Sequence, residues 1–496
     1  MISLRHALTP LTMALVLAGC ATAPNPPEAG IRVPESFKES AADAANAAST
    51  PANAARWKTA EPAEAQARGT WWRAFNDPAL DQLIQQAEAD NPGLAAAAAR
   101  VKAARAALGS AQASRLPQLD LGAGVTRQKY APAQRGLPEG SQIGPATVWN
   151  AGLTASYEVD LFQRVANSVN AAEADAAASE ASYRSVWLAL QADVAQTYFQ
   201  LRTLDADVAV LERTLALRQQ TSDLVHKRRE AGDVSELDAA RARTDVATTR
   251  AELQGARGER ARIEHALALL LGQAPSSYRF AAQPLTTDAQ VPLVPPGLPS
   301  ALLERRPDVA GAQAQMMAAT ARVGQARSAL FPALVLTAQG GQASYELHDL
   351  FNWSARSWLT SAVMSLPLFD GGRNRANITR AEAALDESVA GYRQTVLAAF
   401  GDVEDKLSGL NAVRSQTESL DEALVAARRS SELADKRYRA GEDSYLTLID
   451  TQRSLLAIER QAVQLRGAWA TTTVGLIRAL GGSWADADRK VADAAH

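Results

Sequence analysis

From Leu385 to Tyr438 the chain reads LDESVAGYRQTVLAAFGDVEDKLSGLNAVRSQTESLDEALVAARRSSELADKRY. Mostly apolar residues recur along it every seven positions, in two seams. One is Val389, Val396, Val403, Leu410, Thr417, Leu424, Ser431 and Tyr438; the other is Leu385, Tyr392, Ala399, Lys406, Val413, Leu420, Ala427 and Ala434. Seven-residue spacing marks helices that coil around partners, and only Lys406 is badly out of place. Proline is absent after Pro367 and between Pro145 and Pro275. Because proline costs roughly 3 kcal/mol inside a helix, both intervals can carry long helices. The earlier interval shows the same seams, in Trp187, Val194, Leu201, Val208 and Leu215 and in Tyr183, Leu190, Thr197, Leu204 and Leu211. Each helix would cover about 65 residues, or about 100 Å at ~1.5 Å per residue.

The two intervals are copies of one another. Asn91-Pro92, Leu108-Gly109 and Leu116-Pro117 stand 215 positions before Arg306-Pro307, Val323-Gly324 and Phe331-Pro332. Leu161-Phe162 precedes Leu368-Phe369 by 207, while Tyr183-Arg184, Lys227-Arg228, Ala231-Gly232 and Leu271-Gly272 precede their counterparts by 209. Residues 69–274 and 304–482 are therefore read as tandem repeats, joined by a central linker, 275–303, that holds six prolines. The drop from 215 to 207 makes the stretch between Pro117 and Leu161 eight residues longer in the first copy.

That stretch changes period. Trp149, Ala151, Leu153, Ala155, Tyr157, Val159 and Leu161 alternate with Asn150, Gly152, Thr154, Ser156, Glu158 and Asp160. Alternation over a dozen residues predicts a strand with one apolar face, long enough for a tilted transmembrane strand of roughly 9 to 11 residues. Strands are expected at about 119–130, 148–161, 334–345 and 357–369, with weaker alternation in the second copy. The competing arrangement is two hairpins packed on the helices outside any membrane. Four strands cannot close a membrane barrel, since barrels begin at about eight, and open edges are not tolerated in lipid. Membrane insertion would thus require several copies, and three give twelve strands.

The 51 Lys plus Arg against 54 Asp plus Glu, a net charge of −3 and no basic block leave no footprint for nucleic acid. Cys20 is the only cysteine, which excludes an intrachain disulfide and a multi-cysteine metal site. His6, His226, His265, His348 and His496 lie in no ligand-spaced cluster, so no catalytic residue, metal or cofactor is assigned. Residues 1–20, MISLRHALTPLTMALVLAGC, carry a short basic start and an apolar run too short to span a bilayer. Residues 1–19 read as a signal peptide, 20–68 as an extended tether rich in Ala, Pro, Asn, Glu and Ser, and 483–496 as a tail.

Leu17-Ala18-Gly19-Cys20 resembles the lipobox of bacterial lipoproteins, in which Cys20 would carry N-palmitoyl and S-diacylglycerol groups. Ala21, not Asp, follows, which by the same resemblance favours the outer membrane. Nearly the whole mature chain is similar to the TolC-like outer membrane factors, in the lipidated NodT/OprM-type branch. The resemblance rests on Trp71 to Pro78 (WWRAFNDP), Tyr157 to Phe162 (YEVDLF), Glu304 to Val309 (ERRPDV) and Leu368 to Gly372 (LFDGG). It rests also on Arg437 to Gly441 (RYRAG) and Tyr445 to Asp450 (YLTLID). It implies a mainly α chain with a small transmembrane β part: a homotrimer with a twelve-stranded β-barrel, a periplasmic α-helical barrel and an equatorial layer. It also implies an exit duct served by a periplasmic adaptor and an inner-membrane pump of the RND type.

By position, Leu446 and Asp450 match the family's apolar and acidic gate rings, and Asp238 and Tyr438 match an inter-helix latch. Position 443 is Asp where some relatives carry Arg. Ala231, Gly232 and Ser235, with Ala440, Gly441 and Ser444, resemble the tip that meets the adaptor. Two rivals remain at this level: a lipidated adaptor, and a coiled-coil lipoprotein without a pore.

Overall fold

The structure, a computed structural model, describes residues 22–27, 30–34, 36–39, 70–285, 291–292, 294 and 299–482. Cys20, the leader, most of the tether and the tail lie outside the described residues. Helices α1 (Pro78–Asp90) and α2 (Pro92–Ala113) lead to strands β1 (Gln118–Gln128) and β2 (Ala146–Val159), then α3 (Arg164–Glu230) and α4 (Glu236–Leu270). The second half follows as α5 (Pro299–Arg305), α6 (Pro307–Ser328), β3 (Ala333–Ser344), β4 (Arg356–Ser365), α7 (Arg373–Ala440) and α8 (Tyr445–Ala479). Pro92 and Pro307 each open a helix at its first residue, where a missing N–H costs nothing. Helices α4 and α8 both have 35 residues and start 209 positions apart.

All four strands stop earlier than expected, at 128, 159, 344 and 365 against 130, 161, 345 and 369. Strand β2 ends at Val159, where the Leu161 amide turns back to the Val159 carbonyl at 2.8 Å. Strand β4 ends at Ser365, short of 369, because Pro367 has no N–H to extend a ladder.

The described residues form two compact units, one drawn from 1–30, 100–180 and 311–393, the other from 31–99, 181–310 and 394–482. The first holds an antiparallel meander in the order β1-β2-β3-β4, so β1 and β4 each have one free edge. Its register pairs Leu121 with Leu153, Leu153 with Gly340 and Gly340 with Trp358. Leu119, Leu121 and Val125 thereby share a face with Trp149, Leu153, Tyr157, Leu334, Leu336, Trp358 and Met364. The opposite face carries Asp120, Thr126, Asn150, Thr154, Ser156, Thr337, Gln339 and Ser361, with Leu359 and Val363 intruding where the alternation was weak. Leu121 is 78% exposed and Trp358 80%, a contiguous apolar surface that water does not favour. Helices α6 and α7 pack in this unit through Met316, Ala319, Val323 and Leu385.

In the second unit the aromatic run Trp71–Phe75 forms a 3₁₀ turn buried against α1 and α3. Asp77 caps α1 through the Ala79 amide at 3.0 Å and accepts the Tyr198 hydroxyl at 2.5 Å. The seams hold α3, α4 and α8 together through Val210, Leu211, Leu253, Ala256 and Leu456. Ion pairs cross the same contacts: Arg260 with Asp205 at 2.7 Å and Arg460 with Asp207 at 2.8 Å. The N-terminal stretch is not a plain tether where it is described. Phe37 is 2% exposed among Leu302, Val403, Leu407 and Leu476, and the Glu404 carboxylate accepts the Lys38 and Glu39 amides at 2.7 and 3.0 Å. Composition hid this because one aromatic residue supplies most of the burial.

Candidate functional site

The candidate site is the end of the second unit, where each long helix turns into its shorter partner. The sequence Ala-Gly-x-x-Ser builds both turns. After Glu230, Gly232 (φ 85) sends its N–H to Arg229 at 3.0 Å and Asp233 reaches the Arg228 carbonyl at 2.8 Å. After Ala440, Gly441 (φ 80) and Glu442 make the same pair of bonds to Tyr438 and Arg437, at 3.1 and 2.9 Å. This left-handed cap suits glycine and satisfies carbonyls the helix leaves open. Ser235 and Ser444 then cap α4 and α8 by accepting the Asp238 and Thr447 amides, each at 3.2 Å. Ala231, Gly232, Ser235, Ala440, Gly441 and Ser444 are all exposed.

Inside the turns, Val225, Ala239, Ala242, Ala434, Tyr438, Tyr445, Leu448 and Ile449 form one buried cluster from α3, α4, α7 and α8. Leu446 and Asp450 stand one helical turn apart on the face of α8 turned away from it; Leu446 is 46% exposed and Asp450 is exposed. Tyr438 is 2% exposed, its ring edge-on to Tyr445 with centroids 5.9 Å apart and the Arg228 guanidinium 4.9 Å from its centroid. Its hydroxyl has no hydrogen-bond partner among the described residues. Asp238 instead accepts the Ser235 hydroxyl at 2.8 Å and pairs with Arg241 at 3.6 Å, so the protomer does not itself join Asp238 to Tyr438. Asp443 accepts the Ser444 amide at 2.8 Å and lies 3.8 Å from Arg437.

Two turns above Tyr445 lies a polar node that the heptad reading missed. Asp245 of α4, 3% exposed, accepts Arg453 of α8 at 2.6 Å. Arg218 of α3, 6% exposed, donates to the Thr249 hydroxyl and to the Asp245 carbonyl. One guanidinium thus pairs with the Asp245 carboxylate and the other with the backbone carbonyl of the same residue. Desolvation pushes the Arg218 pKa down although Asp245 pulls it up, and the Arg218 Nε and Asp245 Oδ2 atoms are buried without partners. Half-satisfied buried charge is costly, so the node is a stressed fastening between helices. The signal was present in the sequence: Arg218 occupies the seam position between Leu211 and Val225.

His348, read as isolated, has carboxylate neighbours in the turn between β3 and β4. Its Nδ1 is 3.3 Å from Glu346 and its Nε2 3.4 Å from Asp349. The carboxylates address opposite edges of the ring at the surface, and one ligand atom from each of the three residues lies within 4.8 Å of the others.

Long tandem helices, a small sheet with a bare apolar face and a turn-built tip define an outer-membrane channel architecture. The sequence profile of the outer membrane efflux protein family matches residues 83–273 and 298–482, and the chain belongs to that family. It is 35% identical over 486 residues to the pyoverdine export outer membrane protein OpmQ of Pseudomonas putida, covering 97% of this chain and 98% of that one. It is 33% identical to the cation efflux system protein CusC of Escherichia coli, covering 96% and 98%. The solved structure of the outer-membrane channel OprN superposes with a TM-score of 0.83 at 28% identity, over 94% of this chain and 100% of that one. The protein is an outer-membrane efflux channel with a large periplasmic helical part.

Proposed function

We propose that three copies of this chain close one twelve-stranded barrel through the outer membrane and continue as a helical tube into the periplasm. Together they form the exit duct of a tripartite system fed by an RND-type pump through a periplasmic adaptor. The observation that carries this reading is a four-stranded sheet with one apolar face and two free edges. In lipid each unpaired backbone group costs several kcal/mol, so β1 and β4 need strands from other copies. An even strand count supports it, because β4 of one copy then meets β1 of the next antiparallel.

Leu446 and Asp450, free of their own protomer's core, become an apolar and an acidic ring at the periplasmic end. Like charges on the Asp450 ring repel, so the closed state is held by other contacts, among them Arg453 on Asp245. The exposed residues of the Ala-Gly-x-x-Ser turns meet the adaptor. A latch between Asp238 and Tyr438 belongs to a state in which Asp238 has left Ser235. Cys20 carries N-palmitoyl and S-diacylglycerol chains, enough hydrocarbon for stable anchoring. Native mass spectrometry in detergent should give a trimer, with ion conduction after reconstitution in planar bilayers. Monomers alone, with residues 149–159 open to aqueous labels in intact membranes, would sink the reading.

A further inference from the structure

The turn between β3 and β4 is short and held in shape. Glu346 is extended, and Leu347–Asp349 then coil into one 3₁₀ turn, closed by the Asp349 amide on the Glu346 carbonyl at 3.2 Å. Residues three apart eclipse in such a turn, so Glu346 and Asp349 share an edge with His348 beside them. Leu350 is 6% exposed, the Asn352 amide reaches the Asp349 carbonyl at 3.0 Å, and the Arg356 guanidinium lies 3.4 Å from the Trp353 ring centroid.

The side chains are arranged as well. Asn352 Nδ2 donates to Asp349 Oδ1 at 2.8 Å, leaving Oδ2 for the imidazole. Outer-shell bonds of this kind orient a carboxylate that binds an ion. Neither Glu346 nor Asp349 has a lysine or arginine partner among the described residues, so two negative charges meet one imidazole. Metal bonds of about 2.0 to 2.1 Å in a tetrahedron put ligand atoms roughly 3.3 Å apart. The His348 contacts at 3.3 and 3.4 Å are of that size, but they use different ring nitrogens, so one carboxylate must follow the chosen nitrogen along the ring edge. With the Glu346, His348 and Asp349 side chains 68%, 71% and 47% exposed, that movement is open to them.

We propose that Glu346, His348 and Asp349 form a divalent transition-metal site, one per chain, in the β3–β4 turn. One imidazole nitrogen and two carboxylate oxygens suit Zn²⁺ and similar ions, with water in the fourth position, whereas Ca²⁺ and Mg²⁺ favour oxygen alone. A bound ion cancels both carboxylate charges and ties the ends of the 3₁₀ turn together. His226, 3.3 Å from Glu230 on the surface of α3, offers only two ligands and serves as a control. That the turn opens outside the cell rests on the reading of the sheet as a membrane barrel; the coordination does not.

Equilibrium dialysis of the full-length protein in detergent, without a histidine tag, should give one saturable Zn²⁺ per chain. His348→Ala, Glu346→Gln and Asp349→Asn should each weaken binding at least tenfold, and His226→Ala less than twofold, all with parental circular dichroism and oligomeric mass. Co²⁺ should give visible absorption bands that His348→Ala removes. Absence of saturable binding, or binding that His348→Ala leaves intact, overturns the site. Unchanged affinity in both carboxylate variants overturns the three-ligand set, and displacement of Zn²⁺ by a thousandfold excess of Ca²⁺ overturns the choice of ion. Sidedness is read separately: in whole cells His348→Cys should react with a membrane-impermeant maleimide above the parent. Protection there, with Zn²⁺ binding intact, counts against the barrel reading and leaves the site standing.

Discussion

At the tip of the first hairpin, 209 positions before Leu446 and Asp450, stand Leu237 and Arg241. The leucine is kept and exposed in both, at 58% and 46%, but the acid of the second hairpin is a base in the first, already paired to Asp238. The node above is as lopsided: Asp245, Arg218 and Arg453 correspond to Ser454, Ala427 and Thr244. Yet the turns themselves, glycine cap and serine cap alike, are the same. Duplication preserved the parts that reverse the chain and changed the charged residues beside them. The fastening is therefore asymmetric, with α3, α4 and α8 contributing ionised groups to it and α7 none.

The sharpest break in this asymmetry is Asp245→Ala, which takes from the buried Arg218 its nearest counter-charge and returns the half-exposed Arg453 to water, and should cost about 2 kcal/mol locally. Ser454→Ala, its exposed counterpart, should stay within about 0.5 kcal/mol. Hydrogen exchange in the lower parts of α3 and α8 measures both, and equal effects would dissolve the distinction. Next comes conductance in planar bilayers. Leu446→Ala with Asp450→Ala should raise it several-fold, while Leu237→Ala with Arg241→Ala should leave it nearly unchanged; a rise in the second pair would move the constriction.

Where the copies agree, effects should agree. Ser235→Ala and Ser444→Ala should each loosen the first turn of its helix by about 1 kcal/mol, read from amide exchange there. Unequal losses would show that one cap carries a contact outside the hairpin.

The smallest effect concerns acid. Hydrogen bonding to Arg229, with help from the charge of Arg243, holds the Glu236 carboxyl below its usual range; the Thr447 hydroxyl and the Ser444 amide do the same for Asp443. Both folded-state values are depressed, so the stabilisation is present above the ordinary carboxylate range near ~4 and is lost as pH falls through the depressed values. High salt should weaken the contribution at Glu236, which is an exposed ion pair, and spare that at Asp443. Acid titration of tip exchange with and without salt distinguishes them.

Much of this was legible in the residue order. Seven-residue seams and proline-free intervals marked the helices, and Ala-Gly-x-x-Ser marked the turns, because these signals are local. Strand ends were overshot because the apolar pattern runs on past the last ladder bond, into Leu161 and into Leu366, Leu368 and Phe369. The node escaped notice since its three members lie on three helices and converge only after folding. Its one local trace, an arginine in a seam, resembles the harmless Lys406, whose stem merely lies over Gly475. The docked amino-terminal stretch escaped for the same reason: Phe37 and Glu404 are 367 positions apart.

The equal lengths of α4 and α8 carry one more consequence. An α-helix turns about 100° per residue, so a single insertion in either would swing every side chain beyond it to a new azimuth. The loops at the far end of the strands obey no such rule; one runs from 129 to 145, the other from 345 to 355. The largest change of length falls where it turns nothing, which makes those outer loops the place to graft foreign peptides and the two short helices the place where no residue can be added.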